Sequence, residues 1–290
     1  MFYIKAFNMS PLLIVLIMKM YILIKHIYMI CFTKFIVILL YMSSSLLMQS
    51  QNNTMNWDFS NFSNLTFSYQ QVMTNKEWLG LDDVEPIKSY SEISGLLMIE
   101  VKNKNSADVI LKNAKITTFI KDSLGNRLDT RRQAIPDLVY IEGLKENGSV
   151  EGTYNKHTEL FAKILFPIIN QSATGCIIQM PLISPFDVEG DLVEIKGRNT
   201  IDFTSISTEL FKLKTHIYAK KDNIQSVNDK YYICEIDGES SFDFNPQKRY
   251  FTNGNIKLNM LLQQKNDKYN KTKTLVDMDV EITLALIKVD

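Results

Sequence analysis

Gly95–Leu128, GLLMIEVKNKNSADVILKNAKITTFIKDSLGNRL, decides the fold. Leu96 to Val101 reads as one strand, Asn103 to Ser106 as a polar turn, and Val109 to Ile120 as a second strand. Asp122-Ser-Leu-Gly-Asn126 then closes the unit with a further turn. Ile116, Thr118 and Ile120 alternate with Lys115, Thr117 and Lys121. A period of two with one polar set is what a sheet with a wet face requires.

The same pattern recurs downstream. Phe211, Leu213, Thr215 and Ile217 oppose Lys212, Lys214 and His216; Ile256, Leu258, Met260 and Leu262 share a face, as do Met278, Val280, Ile282, Leu284 and Leu286. Glu146-Asn-Gly-Ser149 is a turn, and Leu138 to Ile141 a short strand. Further short strands are expected at Leu192 to Ile195 and Ile201 to Phe203, flanking Lys196-Gly-Arg-Asn199, and at Tyr231 to Ile236, ended by Asp237-Gly238. Leu160 to Ile169, LFAKILFPII, is expected to be a buried strand ending at an edge, because Pro167 argues against a long helix. Pro181 and Pro185 mark loops, and Gln263 to Thr274 a polar loop. Trp78 to Ile93 has no clean period and reads as an opening strand or loop. With no long amphipathic helix, a parallel α/β fold is disfavoured. The expectation is all-β: an antiparallel β-sandwich or jelly-roll body of ten or more strands, with room for one short helix.

Three parts are expected: an apolar arm over 1–48, a polar linker over 49–64, and the β body over 65–290. The first fifty of the 290 residues hold four lysines and no acid, so the remainder carries four more acids than bases. A mildly acidic body has no global attraction for nucleic acid, which leaves local basic patches. The arm is apolar from Pro11 to Met18 and from Phe35 to Met42, but no run reaches the roughly 20 residues of a spanning helix. It fits a signal peptide, a membrane anchor with snorkelling lysines, or an upstream extension with translation starting as late as Met48 or Met55. Residues 9–48 are therefore expected to target or hold the protein at a membrane. The alternatives are secretion, or the cytosol if the arm is not translated. Sequons at Asn52, Asn61, Asn64, Asn147, Asn170 and Asn270 support secretion only if the arm is a signal.

Three cysteines are too few for a disulfide framework. Cys176 and Cys234 are a candidate bridge in an oxidising compartment, or buried free thiols in a reducing one. His26, His157 and His216 stand alone, so no metal or other cofactor is expected. The chain has no phosphate-binding glycine loop, nucleophile elbow or H-E-x-x-H. Asp277 and Asp279 read more simply as a wet strand face than as an acid–base pair. A non-enzymatic protein without a small-molecule substrate is expected. Thr130-Arg-Arg132 is a small basic spot at a turn. Tyr231, Tyr232, Tyr250 and Phe251, beside Lys230, Lys248 and Arg249, read either as stacking residues or, more simply, as cross-strand aromatic pairs.

From Ala114 to Tyr218 the chain resembles the 30K movement proteins of plant viruses. The resemblance rests on Thr117-Thr-Phe-Ile-Lys-Asp122, Gly152-Thr-Tyr154, a strand ending at Pro167, Leu192-Val-Glu-Ile-Lys-Gly197 and Glu209-Leu-Phe-Lys-Leu-Lys-Thr-His-Ile-Tyr218. It implies a jelly-roll-like sandwich that binds single-stranded RNA without sequence preference, associates with membranes and widens plasmodesmata. The characteristic aspartate falls on Asp122, and the RNA-binding bases would be Lys196, Arg198, Lys212 and Lys214. Self-association is a further expectation. Leu96 to Leu128 is also similar to late-embryogenesis-abundant type 2 domains and related extracytoplasmic β-sandwich modules. That likeness implies a secreted or membrane-tethered interaction module with no nucleic-acid role.

Overall fold

The structure, a computed structural model, describes residues 56–78, 85–122, 124–152, 158–168, 175–266 and 271–290. The apolar arm lies outside them, and no helix among the described residues is long and apolar enough to cross a membrane. Twelve strands are described: β1 (Asn64–Glu77), β2 (Ile87–Asn103), β3 (Ser106–Lys121), β4 (Arg127–Ile135), β5 (Leu138–Lys145), β6 (Val150–Gly152), β7 (Cys176–Val188), β8 (Asp191–Ser205), β9 (Phe211–Gln225), β10 (Tyr231–Asn245), β11 (Tyr250–Asn266) and β12 (Lys271–Val289). One helix, α1 (Glu159–Leu165), separates β6 from β7. The expected antiparallel all-β body is what forms, as a single curled sheet shaped like half a barrel.

The sheet runs β6-β5-β3-β2-β1-β12-β11-β10-β9-β8-β7, with β4 also paired to β3. Most neighbours are consecutive in sequence, as hairpins require. Two pairs are not consecutive: β3 with β5, and at the centre β1 with β12, Tyr69 opposite Leu284, which joins the two ends of the body. Alternation decides which face is buried. Phe67 and Tyr69 on β1, Ile282 and Leu284 on β12, Ile256 and Leu258 on β11, Ile236 and Phe242 on β10, and Leu213 and Ile217 on β9 all point into one core. Two inward positions admit no side chain. A Cβ at Gly238 would stand 2.5 Å from the Lys257 carbonyl oxygen, and one at Gly254 would stand 2.6 Å from the Phe242 ring.

Several local expectations are corrected. Leu160 to Leu165 is helix, not strand: Leu160 and Ile164 bury one face, and Glu159 pairs with Lys163 one turn on. Pro167 lies beyond the end of α1, where it breaks no helical hydrogen bond. The helix packs against β7 and β5, near opposite ends of the sheet path, and so sits inside the curl. Pro181 and Pro185 lie within β7, an edge strand whose missing N–H groups cost little on the open side; a register shift falls between Ile183 and Asp187. Lys196 to Asn199 is the middle of β8, and Asp237-Gly238 the middle of β10. Arg131 and Arg132 are on β4 rather than at a turn. β11 and β12 extend into the expected 263–274 loop, to Asn266 and from Lys271.

Of the expected 49–64 linker, residues 49–55 lie outside the described residues, and 56–64 pack onto the body. Trp57, Phe59 and Phe62 are all buried. Trp57 N–H donates to the Glu146 carbonyl (2.7 Å) and Asp58 N–H to that of Arg249 (3.1 Å), so this segment spans the β5–β6 and β10–β11 turns. Its rings cover one end of the core.

Candidate functional site

The outer face, opposite the core, carries the charge, and it is banded by strand. Lys196 and Arg198 on β8 and Lys212 and Lys214 on β9 all point outward, because their neighbours Ile195, Gly197, Leu213 and Thr215 point in. Register sets Arg198 beside Tyr218, Asp202 beside Lys214, and Thr204 beside Lys212. The four expected bases thus share one face of two adjacent strands in two groups, Arg198 being level with Tyr218 and Lys214 with Asp202, about 13 Å apart along the strands. Lys212 sits 3.7 Å from Asp243 of β10. Lys196, Arg198 and Lys214 have no carboxylate within ion-pair distance among the described residues.

Next to this band, β10 presents acids outward. His216 Nε2 lies 2.9 Å from Asp237 Oδ1, both exposed, at the rim of a shallow groove of about 430 Å³ that also includes Glu239, Lys257, Asp279 and Glu281. Asp277 and Asp279 of β12 are on the wet face as expected; Asn259 Nδ2 donates to both, at 2.8 and 2.9 Å. Partial burial pushes the Asp277 carboxyl up, but bonds from Lys76 (2.7 Å) and Asn259 outweigh it and hold the group below the usual carboxylate range. The same Asp277 bond raises the Lys76 ammonium above its ordinary value. Among the described residues no cluster of His, Cys, Asp or Glu is arranged to hold a metal ion.

Asp122 is a turn-former. Its carboxylate accepts from Leu124 N–H (2.9 Å), Asn126 N–H (2.8 Å) and Asn126 Nδ2 (2.8 Å). These bonds, that of the Asn126 side chain foremost, lower its pKa. Of the two readings of the aromatic residues, burial of Tyr232, Tyr250 and Phe251 fits packing on the sheet rather than stacking, and Tyr231 and Tyr250 stand at opposite ends of β10 and β11. Of the two alternatives for Cys176 and Cys234, both are free thiols here. Cys234 Sγ instead meets Ser184 Oγ of β7 at 3.9 Å, and Cys176 stands at the other end of that strand, eight residues or about 26 Å along it.

A second basic surface escaped the sequence reading. On the outer face of β2, β3 and β4, Tyr90 and Phe119 are register partners with parallel rings, 5.3 Å between centroids and 9° between planes. Lys121 Nζ stands 4.4 Å over Tyr90, and the Arg127 guanidinium 4.1 Å over Phe119. Arg127 is also held by both oxygens of Glu92, at 2.5 and 3.2 Å. Register alone brings these residues together, so only a correct β2–β3–β4 pairing would have revealed them.

No protein-family model matches the chain, and no curated protein does. Among solved structures, one of lipovitellin and its lipid–protein interactions is similar over 78% of this chain and 25% of its own, with a TM-score of 0.45 and 8% identity. The chain therefore spans about a quarter of that protein's length. Neither the TM-score nor the identity reaches the level at which fold or function transfers.

Proposed function

We propose that the protein is a non-enzymatic, membrane-associated binding protein that takes single-stranded RNA on its outer face without sequence specificity. In its specific form it is a virus-encoded cell-to-cell movement protein. What supports RNA binding is the assembly of Lys196, Arg198, Lys212 and Lys214 on the outer face of two neighbouring strands, three of them without a carboxylate partner. Cations so placed reach successive phosphates of a flexible strand and ignore base identity. The membrane part rests on the apolar runs and lysines of residues 9–48.

Filter binding of single-stranded RNA to the full chain at low and moderate salt tests the reading. Each neutralised phosphate contributes about 0.7 to the slope of log K against log salt, so four cations give a slope of about −3. Replacing all four by Gln removes that slope. No retention at low salt by the unaltered chain discards RNA binding and the movement function with it.

A further inference from the structure

We infer that the outer face of β2, β3 and β4 is a second nucleic-acid contact, with Tyr90, backed by Phe119, as a base-stacking ring among Lys88, Lys121, Arg127 and Arg132. The inference rests on the RNA-binding reading but concerns a different surface, which no comparison assigns.

A row of bases crosses this face. Lys76 of β1 is the register partner of Lys88 on β2, and Lys121 of β3 is that of Arg127 on β4. The Ser89–Ile120 pairing, continued by one residue, puts Lys88 beside Lys121. Four cations therefore stand side by side over about 14 Å, although like charges directly opposite each other destabilise a sheet. Lys76 is neutralised by Asp277 and Arg127 by Glu92. Lys88 and Lys121, and Arg132 opposite Thr117 on the same face, have no carboxylate within ion-pair distance among the described residues. An anionic strand laid along the row relieves that repulsion.

The rings distinguish this face from the β8–β9 band. Tyr90 is half-buried and backed by the buried Phe119, which Arg127 covers, so the Tyr90 ring is a fixed aromatic surface at small entropic cost. Lys121 covers Tyr90 only with a flexible ammonium. A base sliding onto the Tyr90 ring displaces it toward the flanking phosphate, so stacking and charge pairing form together. Duplex RNA keeps its bases stacked on one another and gains only the charge contacts. The surface therefore selects unpaired strands. The outward acids of β10 and β12 lie between it and the β8–β9 band, so the two act as separate contacts.

The test compares labelled oligouridylate with duplex RNA of equal length, bound to the full chain at one low salt concentration. The unaltered chain should prefer the single strand. Tyr90→Leu, which keeps Phe119 covered but removes the ring, should weaken oligouridylate binding about five- to ten-fold and leave duplex binding unchanged. Tyr90→Phe should behave as the unaltered chain. Lys88→Gln with Lys121→Gln, both exposed positions, should weaken both ligands and reduce the salt slope, and this pair decides the question if Tyr90→Leu does not fold. Unchanged oligouridylate affinity in Tyr90→Leu, or in the lysine pair, overturns the inference. So does equal affinity of the unaltered chain for duplex and single strand. Loss of binding to phosphatidylserine vesicles with RNA binding intact would assign the face to a lipid surface instead. If the β8–β9 Gln variant abolishes RNA binding while Tyr90→Leu does nothing, this inference falls and the proposed function stands. If the unaltered chain binds no RNA, both fall.

Discussion

The indole of Trp57 meets the ring of Phe166 edge to face, 5.3 Å between centroids and 90° between planes. One residue precedes the first strand and the other follows the only described helix. Both also contact Phe251 of β11, at 5.0 and 5.9 Å. Two segments outside the sheet thus hold each other against it at the covered end. Trp57→Ala should cost about 3–5 kcal/mol in urea unfolding of the full chain. A double-mutant cycle with Phe166→Leu should show a coupling of about 0.5–1.5 kcal/mol. A Trp57→Ala cost below about 1 kcal/mol would mean that the segment merely lies on the body.

Thr215 and Ser240 share a buried hydroxyl–hydroxyl bond of 2.5 Å on the inner face, on register partners of β9 and β10. Thr215→Val should cost about 1–3 kcal/mol, because the Ser240 hydroxyl is left buried and unpaired. Adding Ser240→Ala should recover part of that loss. If the double variant is less stable than Thr215→Val alone, packing rather than polar pairing governs the site.

The difference between what was legible in the sequence and what was not has a physical origin. β9, β11 and β12 each bury one face along their length, so Phe211–Ile217, Ile256–Leu262 and Met278–Leu286 alternate openly. β4 is exposed along nearly its whole length and shows no alternation, which is why Arg131 and Arg132 resembled turn residues. Gly197, Asn199 and Gly238 have turn chemistry but sit at inward positions of long strands, where lack of bulk or local burial is what matters. A short apolar run such as Leu160–Leu165 has no period that separates strand from helix. For the site, each base of the β8–β9 band could be placed on a wet face by alternation alone. The Tyr90–Phe119 platform depends on register between strands, which no single segment encodes.

Cys234 is buried on β10, where desolvation pushes its thiol up to about 11; Cys176 is partly exposed. At pH 8 the native Cys234 is almost wholly thiol, so peptide mapping after brief alkylation should find Cys176 labelled and Cys234 unlabelled until the chain is unfolded. The sign for stability follows from the raised folded value. Above pH 9 the unfolded thiol ionises while the folded one does not, so this group progressively reduces stability from about pH 9 toward 11. Cys234→Ala should flatten the decline between pH 8 and 10 relative to the unaltered chain. Labelling of both cysteines at equal rates in the folded protein would contradict the burial.

Within the β8–β9 band the bases should not contribute equally. Lys212 is already drawn to Asp243 at 3.7 Å, whereas Lys214 points outward with no carboxylate within ion-pair distance among the described residues, although Asp202 is its register partner. Lys214→Gln should therefore reduce RNA affinity and salt slope more than Lys212→Gln. In the Asp243→Asn background the two should become alike, because Lys212 is then released. Equal losses in the unaltered background would show that exposed pairing at this distance is too weak to matter, as many surface ion pairs are.

Asp122 separates a structural role from a direct one, since its carboxylate ties the turn that sets Lys121 opposite Arg127. Its folded pKa is lowered, by the Asn126 side-chain bond foremost, so its contribution is present above the unfolded value of 3.8 and fades as pH falls through the lower folded one. The Asn126 amide resonance should accordingly hold its position down to pH 3.8 and move only below it. Asp122→Asn keeps an acceptor oxygen and removes a negative charge beside the basic row, so RNA affinity should be unchanged or slightly higher. Asp122→Ala removes every acceptor, and amide exchange at Leu124 and Asn126 should quicken while affinity falls modestly through the loosened Lys121–Arg127 pair. A loss in Asp122→Asn as large as in Asp122→Ala would instead mean that the charge itself acts on a ligand, the role that the movement-protein resemblance implies.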